Sequence, residues 1–126
     1  MSFEWADYLE LAHSLQAQSS TGNYKEAMLR TAISRAYYCA FCHARNYSRD
    51  WLAFIPRNDP DDHGRLRAHL KAKRRKGDSD RLERLRQWRN ECDYHDEVKI
   101  DLSAVALAAI SEAERLLHSL SPPKPN

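Results

Sequence analysis

The sequence LRTAISRAYYCAFCHARNY, from Leu29 to Tyr47, carries the strongest fold information in the chain. It contains neither glycine nor proline, and its apolar residues recur every three to four positions, as on a helix. They occupy more than one stripe of that helix: Leu29, Ile33, Ala36, Tyr37, Ala40, Phe41, Ala44 and Tyr47. Because a helix that is apolar on several sides is covered by several neighbours, we expect this segment at the centre of a helical bundle.

Glycine and proline divide the rest of the chain. They are confined to Gly22, the segment 56–64, Gly77 and the tail 122–125. The stretches between them have helical composition, and no strand-like alternation persists beyond a few residues. We therefore predict an all-α fold, an antiparallel up-and-down bundle of about five helices in a single domain. The predicted helices cover about residues 3–18, 24–48, 63–76, 80–95 and 102–120, with the domain over 1–120 and a disordered tail over 121–126.

Two of the predicted helices begin with N-cap patterns. Asn23 precedes the second helix, with Glu26 three positions later as in a capping box. Asp101 precedes the fifth helix. Both patterns predict that a side-chain oxygen accepts a hydrogen bond from an unpaired backbone N–H.

Length and composition predict a soluble cytoplasmic protein without a membrane segment. With 126 residues and 42% apolar content, the chain is long enough to bury a core without disulfides. Its three cysteines cannot all pair, and its first ten residues carry three acids instead of an apolar leader. No window approaches the roughly 18 consecutive apolar residues of a membrane span.

The net charge of +2 is unevenly distributed. Residues 65–89 contain eleven of the twenty lysines and arginines against three acids, so this region carries 11 − 3 = +8 and the remainder −6. Such a region is either a solvated face or a binding surface for RNA or an acidic protein. The candidate RNA-binding residues are Arg67, Lys71, Arg74, Arg75 and Arg86.

The cysteines allow three interpretations. Cys39-x-x-Cys42-His43 has the spelling of a haem attachment site, but an exported protein and a second axial ligand are not evident. Cys92 and His95 repeat the spacing on the fourth helix, so a Cys3His zinc site is an alternative, although structural zinc ligands usually include a turn. We expect buried, reduced thiols, with no metal and no other cofactor.

The fourth predicted helix, within SDRLERLRQWRNECDYHDEV (79–98), contains two candidate catalytic residues. On a helical wheel, Arg89 falls between the apolar Leu82 and Leu85. A guanidinium on an apolar face requires an anion, a partner subunit or hydrogen bonds. His95 lies on the other flank of this face and about 9 Å along the axis. The two side chains are too far apart to bond to each other, but they could converge on a ligand or across a dimer two-fold axis.

Two segments together resemble the HEPN family. Residues 89–95, Arg-Asn-Glu-Cys-Asp-Tyr-His, are similar to the family's motif of Arg, a polar residue and a following His, here with five residues between Arg and His. Residues 34–47, SRAYYCAFCHARNY, are similar to a run typical of small prokaryotic members. The first helix is similar as well, so the likeness covers nearly the whole chain.

The resemblance implies a homodimer that brings both arginines and both histidines into one cleft. It also implies a metal-independent endoribonuclease, the toxin of a toxin–antitoxin or defence module with a minimal nucleotidyltransferase as antitoxin. His95 would transfer protons to or from the ribose 2′-hydroxyl and the leaving 5′-oxygen, and Arg89 would stabilise the phosphorane. The product would be a 2′,3′-cyclic phosphate. The supporting residues would be Asn90, Asp93, Tyr94, Arg35 and Tyr37.

Two other interpretations remain open. The same dimer could be a non-catalytic module that binds a nucleotide, RNA or a partner nucleotidyltransferase. A third interpretation is a structural or metal-bound bundle without further chemistry.

Overall fold

The computed structural model describes residues 2–19 and 24–122. These ranges contain five helices and no strand: α1 (Ala6–Gln18), α2 (Lys25–Trp51), α3 (Asp62–Ala72), α4 (Lys76–Tyr94) and α5 (Leu102–Ser119). The predicted all-α bundle of five helices is confirmed. The predicted cap at Asn23 and the tail from residue 123 onward lie outside the described residues. Within those ranges, no helix combines the length and the apolarity that crossing a bilayer demands.

Helix α2 is the centre of the bundle, as its apolar pattern predicts, and packs against each of the other four helices. Alanines spaced four residues apart along one stripe of α2 are fully buried, at Ala32, Ala36, Ala40 and Ala44. Their small side chains let the neighbouring backbones approach closely. Ile33 is also fully buried, and burial of such a side chain contributes about 1.5–3 kcal/mol to folding.

Contacts at the helix ends show that α4 runs antiparallel to both α2 and α5. Arg30, in the second turn of α2, donates hydrogen bonds to carbonyls at the end of α4. Asp78, in the first turn of α4, accepts a hydrogen bond of 2.9 Å from the hydroxyl of Ser119, the last residue of α5. The predicted N-cap of α5 is also confirmed, because the Asp101 carboxylate accepts from the Ala104 N–H at 3.2 Å.

Helix α3 instead runs alongside α2 in the same direction. His63, at its start, contacts Tyr37 in the middle of α2, while His69 contacts the carbonyl of Leu52 just after α2 ends. The connection 52–61 returns the chain along α2 and makes this arrangement possible. As a result, the first turn of α3 faces the central part of α2.

The buried carboxylate of Asp62 holds this connection in place. It accepts hydrogen bonds from the backbone N–H groups of Arg57 and Asn58 and from the side chain of Arg65. Burial alone would raise the pKa of Asp62, but these hydrogen bonds bring it below its usual range. Asn58 adopts a left-handed conformation, which asparagine tolerates better than most residues.

The turn between α3 and α4 is centred on Arg74, not on Gly77. Arg74 has a φ of 63°, and the N–H of Arg75 reaches back to the carbonyl of Leu70 at 2.8 Å. These features end α3 in the way that glycine usually ends a helix. Helix α4 therefore starts at Lys76, four residues before the predicted position, and Gly77 lies inside its first turn.

Candidate functional site

A cleft of about 820 Å³ opens where α2, the 52–61 connection, α3 and α4 meet. Tyr38 and Phe41 of α2 form an aromatic wall. The basic residues that line the cleft are Arg45, Arg67, Arg86 and Arg89, and the acidic ones are Asp59, Asp61 and Asp62. Because the cleft contains both charges, an anion can bind where an arginine is not already paired with a carboxylate.

Arg89 lies among three tyrosine rings. Its guanidinium carbon is 5.0 Å from the ring centroid of Tyr37, 5.5 Å from that of Tyr38 and 5.7 Å from that of Tyr94. Its Nη1 donates to the hydroxyls of Tyr38 and Tyr94 at 3.2 and 3.4 Å. Its Nε is buried and has no hydrogen-bond partner within the described ranges.

The positive charge of Arg89 is not neutralised by an ion pair. None of the acidic side chains in residues 2–19 and 24–122 pairs with it. Contacts with ring faces and neutral hydroxyls stabilise a cation less than a carboxylate does. A partly desolvated guanidinium with free donor capacity therefore attracts an anion from the cleft, and its planar fork suits a phosphate group.

Two other arginines of the cleft share one carboxylate. Arg67 lies 2.9 Å from Glu83, and Arg86 binds both carboxylate oxygens of Glu83 at 3.0 and 2.7 Å. The hydrogen bond from Arg86 lowers the pKa of Glu83, which keeps this carboxylate ionised. One negative charge is thus shared between two positive charges, so this pair adds to the positive potential around Arg89.

His63 is a residue of the cleft that the sequence analysis did not identify. Its ring stacks on Phe41 with a centroid distance of 4.0 Å, and its Nδ1 is hydrogen-bonded to the hydroxyl of Tyr37. Burial lowers the pKa of His63, and the charges of Arg89 and Arg67 lower it further. No local pattern singles out this histidine, because only the return of the chain through 52–61 brings it to α2.

Several predicted supporting residues surround Arg89. Tyr37 and Tyr94 contact its guanidinium, and Asn90 follows it on α4, half-buried. Arg35 lies outside the cleft lining and stacks on the ring of Tyr38 at 5.2 Å, where it supports the aromatic wall. Asp93 accepts a hydrogen bond of 3.2 Å from Ser34 and so ties α4 to α2.

His95 lies apart from this cleft. It follows the last residue of α4 in an extended conformation, and its side chain is 58% exposed. Its Nε2 is 3.7 Å from Glu91, and the residue does not line the cleft. Within one chain, therefore, the structure does not bring the side chains of Arg89 and His95 into a common pocket.

Arg30, a second residue that the sequence analysis missed, holds the end of α4. Its guanidinium donates to the carbonyls of Cys92, His95 and Asp96 at 3.0, 2.7 and 2.9 Å. No N–H of the helix donates a hydrogen bond to these carbonyls, as expected at a helix C-terminus. Arg30 therefore fixes the backbone that carries both Tyr94 and His95.

The remaining predicted RNA-binding residues lie outside the cleft lining. Lys71 and Arg74 are exposed near the α3–α4 turn. Arg75 is half-buried, where its guanidinium packs over the ring of Tyr47 at 5.5 Å and lies 3.9 Å from Asp78. The five candidate RNA-binding residues thus divide into two arginines in the cleft, two exposed cations at the turn and one arginine in a structural contact.

The cysteines Cys39, Cys42 and Cys92 are all buried and free. Burial raises the pKa of Cys39 and of Cys92 to about 11, and it raises that of Cys42 as well. In the part of the chain that the structure describes, no group of three or more His, Cys, Asp or Glu side chains is arranged to hold a metal ion. These thiols behave as small core residues.

The arrangement can bind an anion, orient it with a planar guanidinium and place a histidine and two tyrosine hydroxyls beside it. Comparisons of the chain with protein-family models, with curated proteins and with solved structures found no match. The proposed function therefore depends on the geometry of the cleft and on the sequence motifs.

Proposed function

We propose that the protein binds RNA through a phosphodiester group at Arg89 and cleaves it as a metal-independent endoribonuclease. The observation that carries this proposal is the guanidinium of Arg89, which faces an open cleft and has no acidic partner among the described residues. A phosphodiester supplies the missing negative charge, and Nη2 of Arg89, which makes no hydrogen bond within the described ranges, can donate to its oxygens. The resemblance to the HEPN family supplies the reaction and the homodimer.

In the proposed reaction the ribose 2′-hydroxyl loses its proton and its oxygen attacks the adjacent phosphorus. The bond from phosphorus to the 5′-oxygen breaks, the 5′-oxygen gains a proton, and a 2′,3′-cyclic phosphate remains. Arg89 stabilises the negative charge that develops on the phosphorane. His95 of a second copy acts in the proton transfers, because its own chain places it outside the Arg89 cleft.

The exposed end of α4 supports the participation of a second copy. The ring of Tyr94 is 70% exposed beside Arg89, and the His95 side chain is 58% exposed next to it in sequence. A dimer formed through α4 would cover both side chains and bring His95 of one copy toward Arg89 of the other. By the same resemblance, the protein would act in the cytoplasm as the toxin of a module whose antitoxin is a nucleotidyltransferase.

A non-catalytic RNA- or nucleotide-binding module is the second candidate function. The position of His95 outside the cleft of its own chain favours it. In this case Arg89 still binds a phosphate group, but no group transfers the proton of the 2′-hydroxyl.

Cleavage of a fluorescently labelled single-stranded RNA tests both candidates. The variants are Arg89→Ala, His95→Ala and, as a matched control, Arg84→Ala, which removes an exposed arginine of α4 that pairs with Glu112 outside the cleft. We expect cyclic-phosphate ends with the wild type and the control in the presence of EDTA, and loss of cleavage in the other two variants. Binding is measured in parallel with a non-cleavable 2′-O-methyl RNA.

The outcomes separate the two functions. If binding requires Arg89 but neither the wild type nor any variant cleaves the RNA, the protein is the non-catalytic module. Cleavage that survives both Arg89→Ala and His95→Ala would refute the proposed active site. Light scattering tests the dimer independently, with an expected mass of twice the 14.7 kDa of one chain.

A further inference from the structure

We assign the proton of the His63 ring to one nitrogen from the contact of this ring with the Tyr37 hydroxyl. This hydroxyl makes no other hydrogen bond in the described part of the chain, and its burial raises its pKa, so it remains protonated. A neutral imidazole has one nitrogen that accepts and one that donates. If the hydroxyl donates to Nδ1, both groups are satisfied, and the ring proton resides on Nε2.

The Nε2 atom of His63 is available to a ligand. His63 lines the cleft together with Arg67 and Arg89, and its Nε2 makes no hydrogen bond within residues 2–19 and 24–122. It is also absent from the atoms there that are both buried and unsatisfied, which means that Nε2 reaches the solvent of the cleft. A bound phosphate group can therefore accept a hydrogen bond from this N–H while its charge faces Arg89.

The charged groups around His63 oppose its protonation in the free protein. Arg86 and Arg89 face it from α4, Arg67 shares its helix, and Arg45 lines the same cleft from α2. Among the acidic residues, Asp62 favours the protonated ring, but its oxygens already accept hydrogen bonds from the 52–61 connection and from Arg65. Asp59 and Asp61 also line the cleft. After burial, the charge of Arg89 has the largest effect in lowering the pKa of His63. Among the described residues, Arg89 has no ion-pair partner that would compensate this charge.

We propose that His63 contacts the phosphodiester that binds at Arg89 and takes up a proton when this ligand binds. This inference rests on the proposed function, because it requires a phosphodiester in the cleft. The bound group compensates the charge of Arg89 and adds a negative charge beside the imidazole, and both changes favour the imidazolium. The proton comes from solvent and is added at Nδ1, where the Tyr37 hydroxyl rotates from donor to acceptor, while Nε2–H donates to a phosphate oxygen.

Isothermal titration calorimetry with a short 2′-O-methyl oligouridylate tests the inference. The probe carries hydroxyl groups at both ends, because a terminal phosphate monoester would itself titrate near pH 6. Titrations between about pH 5.5 and 8, the range in which histidines change charge, are repeated in two buffers of different ionisation enthalpy. We expect the affinity to rise as the pH falls, by at most about tenfold per pH unit, with an uptake of up to one proton per bound probe.

The variant His63→Gln separates hydrogen bonding from proton uptake. Glutamine keeps a neutral N–H donor but cannot accept a proton, so we expect His63→Gln to lose most of the pH dependence. The remainder would come from His95 of the second copy, which the proposed function places at the same phosphodiester. His118→Gln, which removes an exposed histidine of α5 outside the cleft, should keep the wild-type pH dependence. The inference is overturned if the wild type binds without proton uptake or if His63→Gln keeps the full pH dependence.

Two further results complete the test. If the wild type does not bind the probe at any pH, the proposed function fails and this inference fails with it. If the wild type binds without proton uptake, the inference fails alone. If His63→Gln does not fold, the NMR titration of the His63 ring in the wild type replaces it. We expect the ring to titrate at higher pH with the probe bound than without it, and an unchanged titration overturns the inference.

Discussion

The two halves of α4 present their arginines in opposite ways. In the N-terminal half, Arg81 and Arg84 lie within ion-pair distance of a carboxylate, and so does Arg86 at the middle of the helix. In the C-terminal half, Arg89 meets tyrosine rings and hydroxyls instead. The same type of side chain on one helix is therefore a structural contact at three positions and, among the residues that the structure describes, a cation without a carboxylate partner at a fourth.

Tertiary contacts, not local sequence, create this difference. Asp93 lies four residues after Arg89, a spacing that favours an ion pair on a helix. Its carboxylate instead accepts from Ser34 of α2, while the apolar side of α4 turns Arg89 toward the rings of α2. This difference between Arg89 and the other arginines of the helix supports the proposal that Arg89 binds an anion.

Replacing Arg89 with methionine should give the largest effect and sharpen the contrast between binding and stability. We expect the affinity for the 2′-O-methyl oligouridylate to fall by about 10- to 100-fold, as for loss of hydrogen bonds to a charged group worth about 1.5–3 kcal/mol. The free energy of unfolding should change by less than about 1 kcal/mol, because methionine fills the aromatic pocket and brings no charge to desolvate. Calorimetry and urea unfolding measure the two quantities.

Arg84→Met is the matched control on the same helix. It removes a paired, exposed arginine, so the affinity for the probe should stay within about twofold of the wild type, as expected for a weak surface ion pair. Equal losses of affinity in Arg84→Met and Arg89→Met would mean that binding depends on the overall charge of α4, and the contrast between its halves would have no functional meaning.

Replacing Arg30 with alanine should break the C-terminal half of α4 selectively. This change removes three hydrogen bonds to the carbonyls at the helix end, and we expect a loss of about 1–2 kcal/mol in unfolding free energy because these groups are partly exposed. Hydrogen exchange should accelerate for the last turn of α4 and remain unchanged for its first turns. Uniform acceleration along the whole helix would contradict a local role for Arg30.

Glu83→Gln should make the N-terminal half resemble the C-terminal half. Loss of this carboxylate leaves Arg67 and Arg86 without their shared partner, so the positive potential of the cleft increases. We expect the affinity for the probe to rise by about threefold to tenfold, while stability falls by less than about 1 kcal/mol. A loss of affinity would show that Glu83 positions the two arginines for binding.

Much of the fold could be predicted from the sequence, because it is recorded in local patterns. The apolar positions of α2 predict its central place, and the cap at Asp101 predicts the start of α5. The sequence predicts too late a start for α4, because its patterns point to Gly77 as the turn, whereas the α3–α4 turn uses Arg74 in a left-handed conformation. Propensity does not reveal a strained residue that tertiary packing holds in place.

The candidate site could be predicted only in part. Arg89 was found because a charge on an apolar face is anomalous within its own helix. The sequence does not indicate His63, because the hydroxyl that it contacts is 26 residues away and is reached only through the path of the 52–61 connection. It does not indicate Arg30 either, because the carbonyls that accept its hydrogen bonds are at least 62 residues away. His95 illustrates the opposite case. The motif treats it as part of the helix, but α4 ends one residue earlier, so the helical pattern does not determine which way its side chain faces.

The smallest expected effect is a pH dependence of stability that comes from His63. Burial and the neighbouring arginines lower its pKa in the folded protein, whereas in the unfolded chain it titrates near its ordinary value of about 6.5. Below that value the unfolded chain binds more protons, so this contribution to stability is present above about pH 6.5 and is lost as the pH falls. The difference in unfolding free energy between the wild type and His63→Gln should therefore decrease toward acidic pH.

Urea unfolding at several pH values measures this difference, and the comparison cancels the contributions of the other five histidines. His118→Gln serves as the control, because an exposed histidine outside the cleft should give a difference that does not change with pH. Addition of the oligouridylate should weaken or reverse the slope, since a bound phosphate compensates the charge of Arg89 and favours the protonated ring. A slope that is the same with and without the probe would mean that the unpaired arginine and the histidine beside it do not act on the same ligand.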